Sequence, residues 1–138
     1  AWAAVGIDML PQAVPFPTLQ SREESGDFEA VLWGFQWSAD GGQGPMFRSD
    51  SAPPNGFNAM RYSNPEYDTL DDQQLRELDP EKRRELLIQL SNIANNDAAA
   101  GILVFRQNSD AYATRVHNFF PTGYGFIWPF AFIWVEQS

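Results

Sequence analysis

Asp40 has the clearest chemical potential in the chain. It follows Trp37 by three positions and stands ahead of Gly41, Gly42 and Gly44. An acid in such a loop can pair with a cationic group on a ligand, and a neighbouring aromatic can stack on the ligand's apolar part. The competing reading is an aspartate that caps a turn through its own backbone, and pattern alone favours it. Gly41-Gly42-Gln43-Gly44 looks only superficially like a phosphate loop. No lysine or hydroxyl residue follows at the required spacing, so the stretch reads as a flexible loop. An acidic run comprises Glu66, Asp68, Asp71, Asp72, Glu77, Asp79, Glu81 and Glu85, interleaved with Arg76, Lys82, Arg83 and Arg84. It lacks the spacing of a calcium loop and reads as the solvated face of helices. A pair of carboxylates for glycoside hydrolysis depends on a gap of roughly 5–9.5 Å, and no spacing here singles out such a pair. His117 has no candidate partner nearby in sequence and reads as structural. In the tail, eight of the sixteen residues 119–134 are aromatic. They suit a sugar-stacking platform, a core stripe or a surface covered by a partner.

Composition removes whole classes of chemistry. The chain has 138 residues, a net charge of −9, no cysteine and a single histidine. Phosphate neutralisation takes lysine and arginine, so a nucleic-acid partner is not expected. Docking on an anionic membrane surface is disfavoured for the same reason. Without cysteine there is no thiol nucleophile, disulfide or thiolate metal site, and one histidine cannot supply a two-histidine zinc motif. No G-x-S-x-G elbow, Walker motif or G-x-G-x-x-G fingerprint occurs.

These residues need elements to position them. Residues 5–10 form an apolar run closed by Pro11 and read as a strand. Thr18 is placed to cap a short helix reaching Ser25, and Gly26-Asp27 makes a turn into a second, mostly apolar strand over residues 28–35. Strand, helix and strand in this order predict a right-handed parallel crossover. Residues 38–58 are dense in glycine, proline and serine and read as a long loop of the kind that carries function. Asn64-Pro65 and Asp79-Pro80 each put a capping side chain before a proline at the first helical position. They predict helices over residues 65–78 and 80–96, the first presenting Tyr67, Leu70, Leu75 and Leu78 on one side. Asp72 and Arg76 are spaced as an i,i+4 ion pair. Residues 102–105 and 111–116 read as a third and a fourth strand. Phe126, Trp128, Phe130, Phe132 and Trp134 fall on every second position, which is strand spacing. Pro121 and Pro129 interrupt the tail, so it predicts no membrane helix.

The order of these features resembles the C-terminal lobe of the family 5 extracellular solute-binding proteins, the dipeptide- and oligopeptide-binding components of ABC importers. The residues that carry the resemblance begin with Gly6-Ile7, then Gly26-Asp27-Phe28-Glu29 leading to Trp33-Gly34-Phe35. Asp40, Asn58 and Tyr62 follow, then Ser63-Asn64-Pro65-Glu66-Tyr67-Asp68-Thr69-Leu70. Asp79 with Lys82-Arg83-Arg84-Glu85-Leu86, Ile102-Leu103-Val104-Phe105 and residues 116–121 complete it. The most specific portion is N-P-E-Y-D-x-L followed by D-x-x-K-R.

The resemblance implies an α/β fold: part of one lobe of a two-lobed periplasmic-binding-protein architecture, a mixed sheet flanked by helices. Residues 1–138 are then a single α/β domain, the truncated C-terminal lobe of a larger protein. In peptide-binding relatives an aromatic followed shortly by an aspartate meets the ligand's α-amino group. That role falls here on Trp37 and Asp40, with Phe35 and Asn58 as further ligand-side residues. The implied function is non-catalytic capture of a peptide or similar small polar solute, with no cofactor or metal. The implied partners are ABC permease subunits at the membrane, and the implied location is periplasmic or extracellular, including lipid-anchored forms of the full-length protein. Two other readings are a carbohydrate-binding module or glycosidase fragment that stacks sugars on the aromatic tail, and an interaction domain whose tail packs on a partner protein.

Overall fold

The computed structural model describes residues 2–35, 41–105, 109–120 and 131–136. In chain order the elements are a 3-10 turn Trp2–Val5, helix α1 Phe16–Ser25, helix α2 Gly44–Phe47, a 3-10 turn Ser49–Ser51, helix α3 Pro65–Gln74, helix α4 Pro80–Asn96, and strands β1 Val116–His117 and β2 Trp134–Val135.

The α3–α4 hairpin is the folded centre. Asn64 accepts hydrogen bonds from the Glu66 and Tyr67 amides, and Asp79 accepts from those of Glu81 and Lys82. Each satisfies two of the donors that a helix start leaves open, and the prolines behind them carry no amide hydrogen to satisfy. Both helices therefore start where the sequence predicts. α4 also ends as predicted, whereas α3 stops at Gln74, short of residue 78. Leu75 and Leu78 consequently lie outside the helix and face solvent, and only Tyr67 and Leu70 of that predicted stripe reach the core.

The core is small and aromatic. Phe47, Tyr67, Leu90 and Ala94 are buried together, with Met46, Met60, Tyr62, Leu70, Leu87 and Ile93 packed around them. The rings of Phe47, Tyr62 and Tyr67 meet edge to face at 5.9–6.3 Å, a geometry that favours aromatic quadrupoles. α2 therefore joins the hairpin through a single large anchor, Phe47.

The sheet departs from expectation. The chain is mostly helical with one antiparallel pair, Val116 opposite Val135 and His117 opposite Trp134. This composition is compatible with an α/β class. Residues 5–10, 28–35 and 102–105 form no strand, and the expected parallel crossover is not formed by the described residues. The fourth predicted strand is reduced to Val116–His117. A helix satisfies its backbone internally, whereas a strand needs a neighbour at hydrogen-bonding distance. These apolar stretches have no such neighbour among the described residues; Leu32, Val104 and Phe105 are exposed, while Phe28, Val31, Trp33 and Phe35 are half-buried. α1 also differs from its predicted start. It begins at Phe16 after Pro15 with no side-chain cap, so Thr18 is not its cap. It ends as expected at Gly26, whose φ of 77° suits glycine. No helix among the described residues is long and apolar enough to cross a membrane.

Candidate functional site

The loop ahead of α3 is organised by charge. Arg48 leaves α2 with its guanidinium in a nest of acids. Its Nε and Nη2 donate to the two carboxylate oxygens of Asp50, each at 3.0 Å. Its Nη1 donates to Asp72 at 2.8 Å and to Asp71 at 3.3 Å. The hydrogen bonds it donates to Asp50 raise the Arg48 pKa, and Arg48 in turn holds Asp50 below the usual carboxylate range. Asp71 is only 2% exposed, and its other oxygen accepts from Gln74 Nε2 at 2.9 Å. Gln74 Oε1 accepts from Arg83 Nε and Nη2 at 3.1 and 2.9 Å. A buried polar chain thus runs from α2 through α3 to α4. Beside it, Ser49 donates through both its amide and its hydroxyl to Asp68.

Asn58 governs the next turn. It is fully buried, and its amide nitrogen donates to the carbonyls of Arg48 and Tyr62, both at 2.8 Å. Its oxygen accepts from the Tyr62 amide at 2.9 Å. These three bonds close a turn in which Arg61 takes a left-handed φ of 54°, a conformation that costs a bulky residue on the order of 1–3 kcal/mol. Tyr62 then donates its hydroxyl to Asp97, which also accepts from Asn64 Nδ2 at 2.8 Å. Burial first, and then the bond to Asp97, push the Tyr62 hydroxyl up to about 12. The bonds from Tyr62 and then Asn64 lower Asp97. Asn64 therefore caps α3 and ties its start to the end of α4.

The residues expected at a ligand fall into three situations. Asn58 is committed to backbone groups of its own loop. Phe35 is half-buried, its ring edge-on to Phe57 at 5.0 Å. Trp37 and Asp40 lie outside the described residues, as do Phe126, Trp128 and Phe130 of the tail. The chain resumes at Gly41, whose φ is 79° and where a Cβ would meet Leu87 Cδ1 at 3.3 Å. Position 41 thus lies near α4, exposed to solvent.

Two concavities flank this region. One, of about 220 Å³, is lined by Gln43, Phe47, Ser91, Ala94, Asn95, Ala100, Ile102 and Phe105. The other, of about 660 Å³, is an open groove on the hairpin, lined by residues that include Asp72, Arg76, Glu77, Lys82 and Glu85. Its acids and bases alternate, as expected of a solvated helix pair. His117 stacks on Trp134 with ring centres 4.0 Å apart, and its Nε2 lies 3.5 Å from a carboxylate oxygen of Glu136. One face of Trp134 is thereby occupied from within the chain.

The polar chain from Arg48 to Arg83 is what sequence reasoning missed. The acidic run is not wholly solvated: Asp71 is buried, and Asp72 bonds Arg48, whereas its spacing had suggested Arg76. A signal existed in Asp71 and Gln74, which lie three apart on the face that Tyr67 buries. Among the described residues no three histidine or acidic side chains come together as a metal site. Comparison of the chain with family models, with curated proteins and with solved structures gives no match.

Proposed function

We propose that this chain is the ligand-capture lobe of an extracellular solute-binding protein of an ABC importer, taking peptides or similar small polar solutes without catalysis. In this reading it is a truncated C-terminal lobe, working in the periplasm or outside the cell and delivering its solute to permease subunits. Asp40 is the counter-ion for the solute's amine, and Trp37 and Phe35 are the aromatic surfaces beside it. Asn58 serves by holding the loop that Phe35 packs on.

One observation carries the reading. Of the described residues on either side of the aromatic–acid segment, Phe35 packs its ring on Phe57 and Gly41 lies beside Leu87 of α4. Gln43, two residues further, lines the smaller cleft. An uncharged cleft of small volume beside the chain that follows this segment suits a solute of little bulk. The exposed apolar stretches at residues 5–10 and 102–105 add support, because a lobe whose sheet is completed by other strands would leave such stretches bare.

The test is native mass spectrometry of the protein as its gene encodes it, purified with whatever solute it retains. An amine-bearing small solute is expected, and Asp40→Asn is expected to weaken its binding by about tenfold to a hundredfold, the worth of a charged hydrogen bond. An oligosaccharide in its place, or unchanged binding by the variant, sinks the proposal. The 138-residue chain alone is expected to bind peptide weakly or not at all. Low-micromolar affinity by calorimetry contradicts its being one lobe of a closing pair.

A further inference from the structure

The chain has a single Asn-Gly pair, Asn55-Gly56, in the proline- and glycine-rich loop ahead of Asn58. Asparagine before glycine carries a latent reaction. The backbone nitrogen of the following residue can attack the side-chain amide carbon and close a five-membered imide. A side chain on that following residue obstructs the approach, and glycine has none. A fold stops the reaction by engaging the attacking amide in a hydrogen bond or by holding the asparagine side chain.

Neither restraint acts on this pair. Asn55 is exposed, and its side chain has no hydrogen-bond partner among the described residues. Its own amide donates to the Ala52 carbonyl at 2.9 Å, which closes the turn before it. The Gly56 amide, which is the nucleophile, donates to nothing among the described residues. Anchoring resumes one residue later, with Phe57 N donating to the Pro45 carbonyl at 2.8 Å and Asn58 N to the Ser51 carbonyl at 2.9 Å. The other described asparagines are protected. Asn58 is buried with both side-chain atoms bonded. Asn64 is bonded as a cap and precedes a proline, which has no amide hydrogen to lose. Asn118 donates to the Phe132 carbonyl and precedes a phenylalanine. Asn92, Asn95 and Asn96 lie in α4, where the following amides belong to the helix and its cap.

We propose that Asn55 is a self-modification site, converting without an enzyme to aspartate and isoaspartate, and that the isoaspartyl form releases the loop from Pro45 and Ser51. Gly56 N loses its proton to hydroxide and bonds to Asn55 Cγ; the Cγ–Nδ2 bond breaks and the nitrogen leaves as ammonia. Water then opens the imide. Cleavage of the new N–Cγ bond gives aspartate, and cleavage of the original peptide C–N bond gives isoaspartate, whose backbone runs through the side chain and is longer by one methylene. The loop has no room for that methylene. A Cβ on Gly56 would already stand 2.7 Å from the Ser51 carbonyl oxygen and 3.1 Å from that of Pro45. These are the two carbonyls that accept from Asn58 and Phe57, and Phe57 carries the ring contact to Phe35. None of this depends on which solute the chain captures.

The test is peptide mapping by mass spectrometry, with separation of aspartyl from isoaspartyl products, on the protein as its gene encodes it after incubation at mildly alkaline pH. Position 55 is expected to convert ahead of the other described asparagines, faster as the pH rises. Its rate is expected to lie within about tenfold of that in the urea-unfolded chain, because an exposed loop opens at little cost. Conversion in urea with none in the folded protein overturns the site. Asn55→Gln, whose longer side chain must close a six-membered ring, is expected to remove the acidic species; its formation at an equal rate in that variant overturns the assignment. The isolated isoaspartyl fraction is expected to unfold at a lower urea midpoint than Asn55→Asp, which carries the new charge without the methylene. Equal midpoints overturn the release of the loop.

Discussion

Gly44 gives the sharpest test of how α2 is held. A Cβ there would sit 2.5 Å from Asp71 Oδ2, 3.1 Å from Arg48 Cδ and 3.2 Å from Asp71 Cγ. The first distance falls short of ordinary contact by roughly 1 Å. The obstacle is not a flexible surface group. Asp71 is 2% exposed and is held by Gln74 at 2.9 Å and by Arg48 at 3.3 Å. Gly44→Ala must therefore either push α2 off α3 or displace the carboxylate from its donors. Overpacking of this kind costs about 1–3 kcal/mol, and alanine's better helix propensity returns about 0.5–1 kcal/mol. A net loss of about 1–2 kcal/mol is expected, or a fall in Tm of about 4–8 °C for a chain of this size. Urea unfolding measures it, with the midpoint lowered and the slope unchanged. A double-mutant cycle isolates the cause. With Asp71→Ala in place, the alanine at position 44 has room, and most of its cost disappears as a coupling of about 1 kcal/mol or more. A neutral Gly44→Ala, or a cost that persists in full beside Asp71→Ala, refutes this account of the contact.

Asn64→Ala loses both a cap and the tie to Asp97, whereas Asp79→Ala loses a cap alone. The first is therefore expected to cost more than the second, which should lie near 1 kcal/mol; urea midpoints in the reverse order contradict the double role. Tyr67→Phe removes a fully buried hydroxyl that has no hydrogen-bond partner among the described residues, so stability should hold or rise; a loss beyond about 1 kcal/mol reveals a partner. The Tyr62 hydroxyl has a folded pKa raised to about 12 above its ordinary 10, so its contribution is whole below pH 10 and is lost as the pH climbs to 12. Asp97 acts in the opposite sense, contributing above the usual carboxylate range and losing that contribution as the pH falls through its lowered native value. Tyr62→Phe should flatten part of the alkaline limb of Tm against pH and remove one late-titrating phenol from the ultraviolet titration; an unchanged alkaline limb speaks against the bond to Asp97.

The parts of the fold legible in the sequence are those whose causes are local. Asn64-Pro65 and Asp79-Pro80 fix helix starts because cap, proline and first amides lie within four residues of one another. Gly26 ends α1 for an equally local reason. α3 was read too long because Leu75 and Leu78 continue its apolar spacing, yet neither finds anything to bury against. The hidden part is whatever depends on residues distant in the chain. Asp71 and Asp72 look like members of a solvated acidic face until Arg48, more than twenty positions earlier, is brought between them. The three bonds of Asn58 to loop backbone join residues up to ten positions apart and cannot be foreseen from its neighbours.

The same distinction explains the strands. Apolar runs such as residues 28–35 and 102–105 announce burial but not against what, since a strand's hydrogen bonds belong to its neighbour. Here β1 and β2 pair because His117 and Trp134 meet as stacked rings, a cross-strand contact worth up to about 1 kcal/mol beyond the ladder bonds. The other runs have no such strand partner among the described residues; residues 102–105 remain in water, with Phe105 82% exposed, while Trp33 and Phe35 are half-buried against Phe16 and Phe57. Exposed apolar residues gain roughly 25 cal/mol for each Å² they bury, so any chain that offers a matching edge has a driving force to cover them. The prediction is concrete. Val104→Lys in the protein as its gene encodes it should impair folding or assembly severely if residue 104 is buried there as a strand, and should be harmless if the residue faces water. Unchanged stability of that variant refutes the view that these runs are strands awaiting a sheet, and with it the structural support for reading the chain as one lobe of a larger protein.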